Sequence, residues 1–232
     1  MALPTAQRLL GLLDTLQAGL LERETAARIV LLAALAREHV LLIGPPGTAK
    51  SELARRLHRV VADAPYFERL LTRFSTPEEL FGPLSLKALE DDRYERLVAG
   101  FLPTAGIAFL DEVFKANSAI LNALLTLLNE REFDNGAGRT KVPLVTVVGA
   151  TNDVPDDESL LAFYDRFLLR VRCDSVPGER LADVLAAGWK LQHRPAPETA
   201  FSFDDIRLLH GLHSAVEFGE TRALLVLSLI HI

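Results

Sequence analysis

The fold of this chain is decided by the stretch Gly44-Pro45-Pro46-Gly47-Thr48-Ala49-Lys50-Ser51 together with its two flanks. Residues 40–43 before it are Val-Leu-Leu-Ile, a short apolar run typical of a strand buried on both faces. Residues 51–61 after it carry apolar side chains at helical spacing. A loop of small residues between a strand and a helix can turn its backbone N–H groups around phosphate oxygens, and the helix N-terminus adds a favourable dipole. The stretch therefore predicts a phosphate-binding loop in an α/β fold.

The last residues of this loop carry the chemistry that a phosphate ligand needs. Lys50 would supply positive charge to the β- and γ-phosphates, and the Ser51 hydroxyl would bind Mg²⁺. Ala49 departs from the usual pattern, in which a glycine precedes the lysine. A methyl group strains a backbone with positive φ, so an alanine is tolerable here only where the backbone is helix-like. A Pro- and Gly-rich turn without a ligand is the alternative interpretation of these eight residues.

Further apolar runs follow along the chain and alternate with helical patterns. Runs typical of buried strands occupy residues 107–110, 144–150 and, more weakly, 167–171. Helical periodicity is strongest over residues 117–130. Strands that alternate with helices at this spacing indicate an α/β core with a mostly parallel sheet and helices on both faces. From Pro177 onward the pattern is helical only, which predicts the start of a small all-α domain.

Two local signals predict where short elements begin and turn. The segment Thr76-Pro77-Glu78-Glu79 has the pattern of a helix start, with a threonine N-cap, proline at N1 and glutamate at N3. Gly82-Pro83 would end that helix almost at once. Residues 134–136, Asp-Asn-Gly, are typical of a hairpin turn.

An acidic pair follows the second predicted strand. Asp111 and Glu112 close the apolar run 107–110, and open α/β sheets bind ligands just beyond the carboxyl ends of their strands. Asp111 would hold the Mg²⁺ shell, while Glu112 could polarise the attacking water as general base. Such a pair alone is more often an exposed turn. Its position on a separate strand after Lys50 makes the catalytic interpretation more specific.

Two later side chains are candidates for the same chemistry. Asn152 lies just beyond the 144–150 run, where its amide could reach the γ-phosphate or the lytic water, or merely hydrogen-bond its own turn. Arg166 precedes the weakest strand, and an arginine there is either solvated or donated to the nucleotide of a neighbouring subunit. Arg170 and Arg172 are rivals for that second role.

The overall composition excludes several classes of protein. The 232 residues include 25 Lys and Arg against 31 Asp and Glu, a net charge of −6 that argues against a surface built for sequence-independent nucleic-acid binding. No apolar run approaches the length of a membrane span, and no signal peptide is recognisable. Cys173 is the single cysteine, which excludes an intramolecular disulfide and fits a reducing cytoplasm.

The phosphate loop, the acidic pair, Asn152 and Arg166 follow one another in an order that resembles the AAA+ ATPases. More specifically, the chain resembles the MoxR family and, within it, the RavA (regulatory ATPase variant A) branch. The resemblance covers roughly residues 5–180. Its most telling stretches are residues 44–51, 72–85, 93–96, 109–112, 120–125, 129–133 and 164–166. An alanine before the loop lysine is common in that family.

The resemblance implies an αβα P-loop NTPase core with a five-stranded parallel sheet, a C-terminal helical lid, and hexameric rings with ATP and Mg²⁺ between subunits. It also implies the Walker B role for Asp111 and Glu112, sensor 1 for Asn152 and the arginine finger for Arg166. Residues 81–103 and 133–143 would be hairpin insertions facing the interior of the ring. MoxR proteins are thought to assemble or activate complexes, often with a partner that carries a von Willebrand factor A (vWA) domain; the target is not readable here.

Two functions on this core remain open from the sequence. The first is a ring-forming, ATP-driven remodelling factor, and the second is a nucleic-acid motor or loader. The negative net charge and the lack of an appended DNA-binding motif favour the first. A nucleotide-binding module without hydrolysis is disfavoured, because each catalytic position carries a competent residue.

The C-terminal part of the chain suggests an incomplete lid. We expect a nucleotide-binding core over residues 1–176, with N-terminal helices, and part of a helical lid over 177–226. Arg222 is the one late candidate for the further arginine, sensor 2, that a lid normally supplies. Residues 223–232 are nearly all apolar, and 227–232 resemble one translation of a sequencing adapter. The expectation is therefore a truncated reading frame with a non-native tail at 227–232.

Overall fold

The computed structural model describes residues 6–136, 138–192 and 201–211. Within these ranges the helices are α1 (Ala6–Gln17), α2 (Glu24–Ala36), α3 (Lys50–Val60), α4 (Pro77–Phe81), α5 (Leu86–Glu90), α6 (Ser118–Glu130), α7 (Glu158–Tyr164), α8 (Leu181–Gln192) and α9 (Phe203–His210). The strands are β1 (Val40–Ile43), β2 (Val61–Ala62), β3 (Tyr66–Leu70), β4 (Ile107–Asp111), β5 (Glu132–Asp134), β6 (Arg139–Lys141), β7 (Thr146–Thr151), β8 (Leu169–Arg172) and β9 (Phe201–Ser202). None of the described helices has the length and apolar character needed to cross a bilayer.

A five-stranded parallel sheet forms the centre of the fold, in the order β3-β4-β7-β1-β8. β1 lies between β7 and β8, and its Leu42 stands opposite Ala150 on one side and Val171 on the other. All four residues of β1 are buried, as the apolar run predicts for a strand covered on both faces. The α/β class and the five-stranded parallel sheet are therefore confirmed.

The two faces of the sheet bury separate hydrophobic cores, because successive side chains of a strand point to opposite faces. In β1, Val40 and Leu42 join a cluster formed with α1, α2 and α3. Leu41 and Ile43 join the second cluster, which includes α4 and α6. The sheet is thus the middle layer of an αβα sandwich, and its strand ends are free to carry functional loops.

β3 is an edge strand that the apolar runs did not predict. Its residues pair in register with β4, and Leu70 stands opposite Asp111. Only Phe67 of its five side chains is buried, while Glu68 forms an ion pair with Arg55. An edge strand has one neighbour and one solvated side, so it can carry polar residues and lose the continuous apolar pattern.

The prediction of purely helical structure after Pro177 is wrong at residues 201–202. β9 pairs in parallel with β2, and Phe201 stands opposite Val61. Phe201 and Ile206 are each 1% exposed and belong to the core cluster of α1–α3. The division of the chain at residues 176 and 177 stays a prediction. Residues 193–200 and 212–232, including Arg222 and the predicted tail 227–232, lie outside the described residues.

The two predicted insertions contact each other through a hairpin turn. β5 and β6 form an antiparallel hairpin, which confirms the turn at 134–136. The Asn135 side chain accepts a hydrogen bond from the Arg96 backbone N–H at 2.7 Å and donates one to the Arg96 carbonyl at 3.3 Å. Gly136 has φ +80°, and a Cβ there would lie 1.7 Å from the Tyr94 carbonyl oxygen. Only glycine permits this close approach between the two segments.

Candidate functional site

The parallel sheet brings three of the predicted segments to the side of the sheet at which its strands end. Ile43 at the end of β1 stands opposite Thr151 at the end of β7, so the phosphate loop and Asn152 leave the sheet side by side. β4 pairs with the other side of β7 and ends at Asp111. Parallel strands present their carboxyl ends at the same edge, where open α/β sheets bind ligands. The structure therefore gathers the loop, the acidic pair and Asn152 in one place.

The backbone of the phosphate loop adopts left-handed conformations at two positions. Gly47 has φ +80°, and Ala49 has φ 66° and ψ 23°. The condition that a helix-like backbone would make an alanine tolerable here is therefore not met, and Ala49 occupies the positive-φ conformation that strains a methyl group. Helical structure begins only at Lys50, with the Leu53 N–H donating to the Ala49 carbonyl at 3.1 Å. A methyl group in the left-handed region carries a steric cost that glycine avoids, so this loop stores strain at Ala49.

The first glycine of the loop is required by a close backbone approach. A Cβ on Gly44 would lie 2.1 Å from the Cys173 carbonyl oxygen. The Cys173 N–H donates to the Ile43 carbonyl at 2.7 Å, which continues the β1–β8 ladder past the end of the strand. The loop can therefore leave the sheet at this point only with a residue that has no side chain.

Lys50 presents a buried, unneutralised charge to the loop. Its residue is 8% exposed, and its ammonium donates to the Gly44 and Pro45 carbonyls at 2.5 and 2.9 Å. No carboxylate among the described residues lies within ion-pair distance of this ammonium. A buried cation without an anionic partner is costly, so the site favours an anion such as a phosphate. This donor set fits a nucleotide polyphosphate.

The residues present also fit Mg²⁺ as a shared ligand of protein and phosphate. Ser51 and Asp111 offer a hydroxyl and a carboxylate, the hard oxygen donors that Mg²⁺ prefers. The described residues contain no cluster of three or more His, Cys, Asp or Glu side chains arranged to hold a metal. Mg²⁺ is typically bound by one or two protein oxygens, with water and phosphate completing its octahedron. The pair thus suits Mg²⁺ better than a metal held by protein alone.

Glu112 is held by donors on both of its carboxylate oxygens. The Asn152 Nδ2 donates to Oε1 at 2.7 Å, and the Lys115 ammonium lies 3.3 Å from Oε2. Glu112 has φ 52°, a second strained backbone position at the site. The Asn152 amide therefore binds the predicted base and not its own turn. Lys115 was missed by the sequence interpretation, although its spacing of three from Glu112 is the signal that could have found it.

Arg166 lies on the side of the sheet at which the strands begin, opposite to the phosphate loop, which follows the end of β1. It precedes β8, whose first residue Leu169 stands opposite Val40, the first residue of β1. The length of β1 alone separates the two edges by about 10 Å. Arg166 is exposed, and within the described ranges no ion pair or hydrogen bond engages its guanidinium. It therefore lies far from the phosphate loop of its own chain.

The two rival arginines have local partners. Arg170 lies 3.9 Å from the centre of the Tyr164 ring, and its guanidinium is 3.2 Å from the Asp165 carboxylate. Arg172 stands opposite Ile43 at the loop edge and pairs with Asp174 at 3.7 Å. Of the three arginines, Arg166 is the one whose guanidinium has no ion pair or hydrogen bond among the described residues.

A cavity of about 340 Å³ lies beside the phosphate loop. Its walls come from the segment before α2, from the loop, and from residues 175–178 together with α8. The apolar lining residues include Leu20, Leu21, Pro46, Val176, Leu181 and Val184. A mainly apolar cavity beside a phosphate site has the character of a pocket for a flat organic group. No sequence pattern pointed to it, because its walls are distant along the chain.

Comparisons with known proteins agree with this geometry. A family model described as the MoxR domain in the MoxR-vWA-beta-propeller ternary systems matches residues 7–211. An uncharacterised protein of Methanocaldococcus jannaschii is 49% identical over 195 residues, which cover 84% of this chain and 50% of that protein. Protein MoxR of Paracoccus denitrificans is 30% identical over 201 residues, with 83% of this chain and 58% of that protein covered.

Among solved structures, a candidate ATPase of Cytophaga hutchinsonii superimposes with a TM-score of 0.67 at 18% identity. The match covers 88% of this chain and 62% of that one. At this identity the likeness shows a shared fold. The chain spans about half the length of the curated relatives it matches.

Proposed function

Because this chain belongs to the MoxR family of AAA+ ATPases, we propose that it hydrolyses ATP in a ring of identical subunits and uses the energy to remodel or assemble protein complexes. The observation that carries the proposal is the division of the catalytic groups between the two edges of the sheet. Glu112 and Asn152 lie beside the phosphate loop, whereas Arg166 lies at the far edge with an unengaged guanidinium. A second copy is needed to bring Arg166 to the loop.

Each residue of the proposed site has a physical task. The loop N–H groups and Lys50 bind the phosphates, and Ser51 and Asp111 hold Mg²⁺. ATP supplies the phosphoanhydride to be cleaved, and Mg²⁺ neutralises charge on its phosphates. Glu112 accepts a proton from the attacking water, and Asn152 orients Glu112 through the 2.7 Å hydrogen bond. The apolar cavity beside the loop receives the adenine ring of the nucleotide.

The remodelling role and its partner are supported by the description of the matching family. That description places the domain in systems with a vWA protein and a β-propeller protein. We therefore propose a vWA-domain partner. The hexameric ring and the RavA branch rest on the sequence resemblance and stay predictions. The cytoplasmic location and the protein target stay predictions.

Mixing two inactive variants tests whether the site is shared between chains. Lys50→Ala should lose ATP binding but still offer Arg166 to a neighbour. Arg166→Ala should bind ATP yet hydrolyse it about 10³-fold more slowly, on the scale of arginine fingers. An equimolar mixture should regain activity, because some interfaces combine an intact loop with an intact arginine. Arg172→Ala tests the rival arginine, which lies at the loop edge of its own chain; if Arg166 is the finger, Arg172→Ala should hydrolyse ATP much faster than Arg166→Ala.

Two results would contradict the proposal. One is an Arg166→Ala chain that forms assemblies and hydrolyses ATP at the wild-type rate. The other is a mixture that stays inactive although the two variants co-assemble. Hydrolysis that rises on addition of DNA, with a salt-sensitive mobility shift of that DNA, would favour the nucleic-acid motor instead.

A further inference from the structure

Arg23 is a buried arginine whose partners are all backbone carbonyls. Its residue is 5% exposed, at the N-cap of α2. Nε donates to the Thr48 carbonyl at 2.9 Å, one terminal nitrogen donates to the Glu22 carbonyl at 2.6 Å, and the other donates to the Asp174 carbonyl. In the described ranges no carboxylate pairs with Arg23. One guanidinium thus joins the segment before α2, the phosphate loop and the segment after β8.

The bond to Thr48 determines the orientation of the peptide that joins Thr48 to Ala49. In a trans peptide the C=O and the following N–H point in opposite directions. With the Thr48 carbonyl held toward Arg23, the Ala49 N–H points away from Arg23. Ala49 is left-handed and Lys50 begins a helix, and a left-handed residue beside a helical one turns successive N–H groups into an anion-binding concavity.

Arg23 also explains how an alanine can occupy this position. The left-handed region is steric strain for alanine, and that strain is relieved if the 48–49 peptide rotates. Rotation would break the Arg23–Thr48 bond and leave a buried guanidinium N–H without an acceptor. The planar guanidinium cannot follow the carbonyl, because its other nitrogens are engaged by Glu22 and Asp174.

We propose that Arg23 is a positioning residue that locks the Thr48–Ala49 peptide and thereby keeps Ala49 in the left-handed conformation that phosphate binding requires. Arg23 performs by a tertiary hydrogen bond what a glycine at position 49 would do by its own conformational freedom. This inference rests on the proposed function only in that the ligand is an adenine nucleotide.

A double-mutant cycle measured by MgADP binding to the full chain tests the inference. Arg23→Met should weaken MgADP binding about 5- to 30-fold, the factor that corresponds to the cost of left-handed alanine. Ala49→Gly alone should change the affinity by less than about threefold, because Arg23 already holds the loop. The double variant should recover most of the lost affinity, because glycine adopts the left-handed conformation without help. Arg23→Lys, which retains the charge but not the planar fork, repeats the cycle if Arg23→Met folds poorly.

Arg56 provides a matched control within the same chain. It is 6% exposed and donates to the Leu16 and Ala18 carbonyls and to the Glu52 carboxylate, but it has no hydrogen bond to the phosphate loop. Arg56→Met should lower the melting temperature, and Ala49→Gly should not restore MgADP affinity in that background.

The outcomes separate this inference from the proposed function. An Arg23→Met chain that binds MgADP as tightly as the wild type would overturn the inference and leave the function standing. A weakened Arg23→Met chain whose affinity Ala49→Gly does not restore would reduce Arg23 to a general packing role, which also overturns it. A wild-type chain without MgADP affinity would instead overturn the proposed function.

Discussion

At the scale of single residues, the site places two non-glycine residues in the left-handed region. Ala49 has φ 66° in the phosphate loop, and Glu112 has φ 52° at the end of β4. Such conformations persist only where surrounding bonds over-determine them. Around Glu112 those bonds come from Asn152 and Lys115, which hold its carboxylate. Strain and hydrogen bonding therefore coincide at the groups to which we assign phosphate binding and proton transfer.

Replacing the proposed base should separate binding from hydrolysis. Glu112→Gln should bind MgATP with about wild-type affinity but hydrolyse it at least about 100-fold more slowly, because an amide cannot accept the proton from water. Binding is measured by calorimetry and hydrolysis by phosphate release. Lys50→Ala is the reference for lost binding. Wild-type turnover by Glu112→Gln would show that another group is the base.

His39 should make the stability of the protein depend on pH. Burial, together with the nearby Arg131 charge, lowers its pKa to about 3. The ring is neutral, with Nδ1 accepting from the Val147 N–H at 3.0 Å and Nε2 bonded to the Leu128 carbonyl at 3.2 Å. In the unfolded chain the His39 ring has its ordinary pKa of 6.5 and binds a proton below that pH, whereas in the folded chain it stays neutral until the pH approaches 3. The stabilisation is therefore complete above pH 6.5 and is lost as the pH falls toward 3.

The expected size of this effect can be measured by urea unfolding. Between pH 7 and pH 5, His39 should reduce the free energy of unfolding by about 2 kcal/mol. His39→Gln lacks a titrating ring, so its loss over the same interval should be smaller by that amount, whatever its stability at pH 7. Equal pH dependence in the two proteins would show that folding does not lower the pKa of His39.

At the scale of elements, the two insertions depend on one turn residue. Asn135 satisfies both the N–H and the carbonyl of Arg96, and the adjacent Gly136 allows the contact with Tyr94. The hairpin β5–β6 and the segment that contains α5 are therefore one unit, although they are separated along the chain by β4 and α6. Any surface that these insertions form depends on that contact.

Removing the Asn135 side chain should release this contact without disturbing the sheet. Asn135→Ala should cost about 1–3 kcal/mol, because it leaves the half-buried Arg96 backbone groups without partners. Thermal unfolding measures that loss, and limited proteolysis should show faster cleavage within residues 83–97. Asn122→Ala, at an exposed position of α6, is the control and should change neither measurement. Unchanged proteolysis in Asn135→Ala would mean that other contacts hold the insertions together.

At the scale of the whole molecule, the parallel sheet separates Arg166 from the phosphate loop. Both belong to segments next to β1, but Arg166 lies before β8 and the loop lies after β1. In a parallel pair, the residue before one strand and the residue after the other lie at opposite ends of the strands. Under the proposed function, a complete set of catalytic groups therefore requires two chains, and we expect activity to depend on association.

The specific activity should rise with protein concentration. The rate of ATP hydrolysis per chain, measured from nanomolar to micromolar protein, should increase until assembly is complete, since association follows mass action. Sedimentation with and without MgATP should show larger species over the same range. A constant specific activity from a chain that sediments as a monomer would contradict a shared site.

The sequence by itself determined the features that depend on neighbouring residues. The apolar run 40–43 and the small residues 44–51 predicted a buried strand and a phosphate loop. Thr76 and Glu79 predicted the start of α4, where the Thr76 N–H does donate to the Glu79 carboxylate at 3.3 Å. Asp-Asn-Gly at 134–136 predicted the hairpin turn. Each of these signals acts within a few positions, where propensity and capping decide the structure.

The tertiary structure decided what depends on residues far apart in the chain. The left-handed Ala49 was not predictable, because its conformation is held by Arg23 across the loop. The hydrogen bond between Asn152 and Glu112 arises because β7 lies beside β4 in the sheet. β3 escaped prediction because an edge strand needs no continuous apolar pattern. Local pattern thus determines the elements, whereas the geometry of the site follows from hydrogen bonds that exist only once the sheet has brought distant segments together.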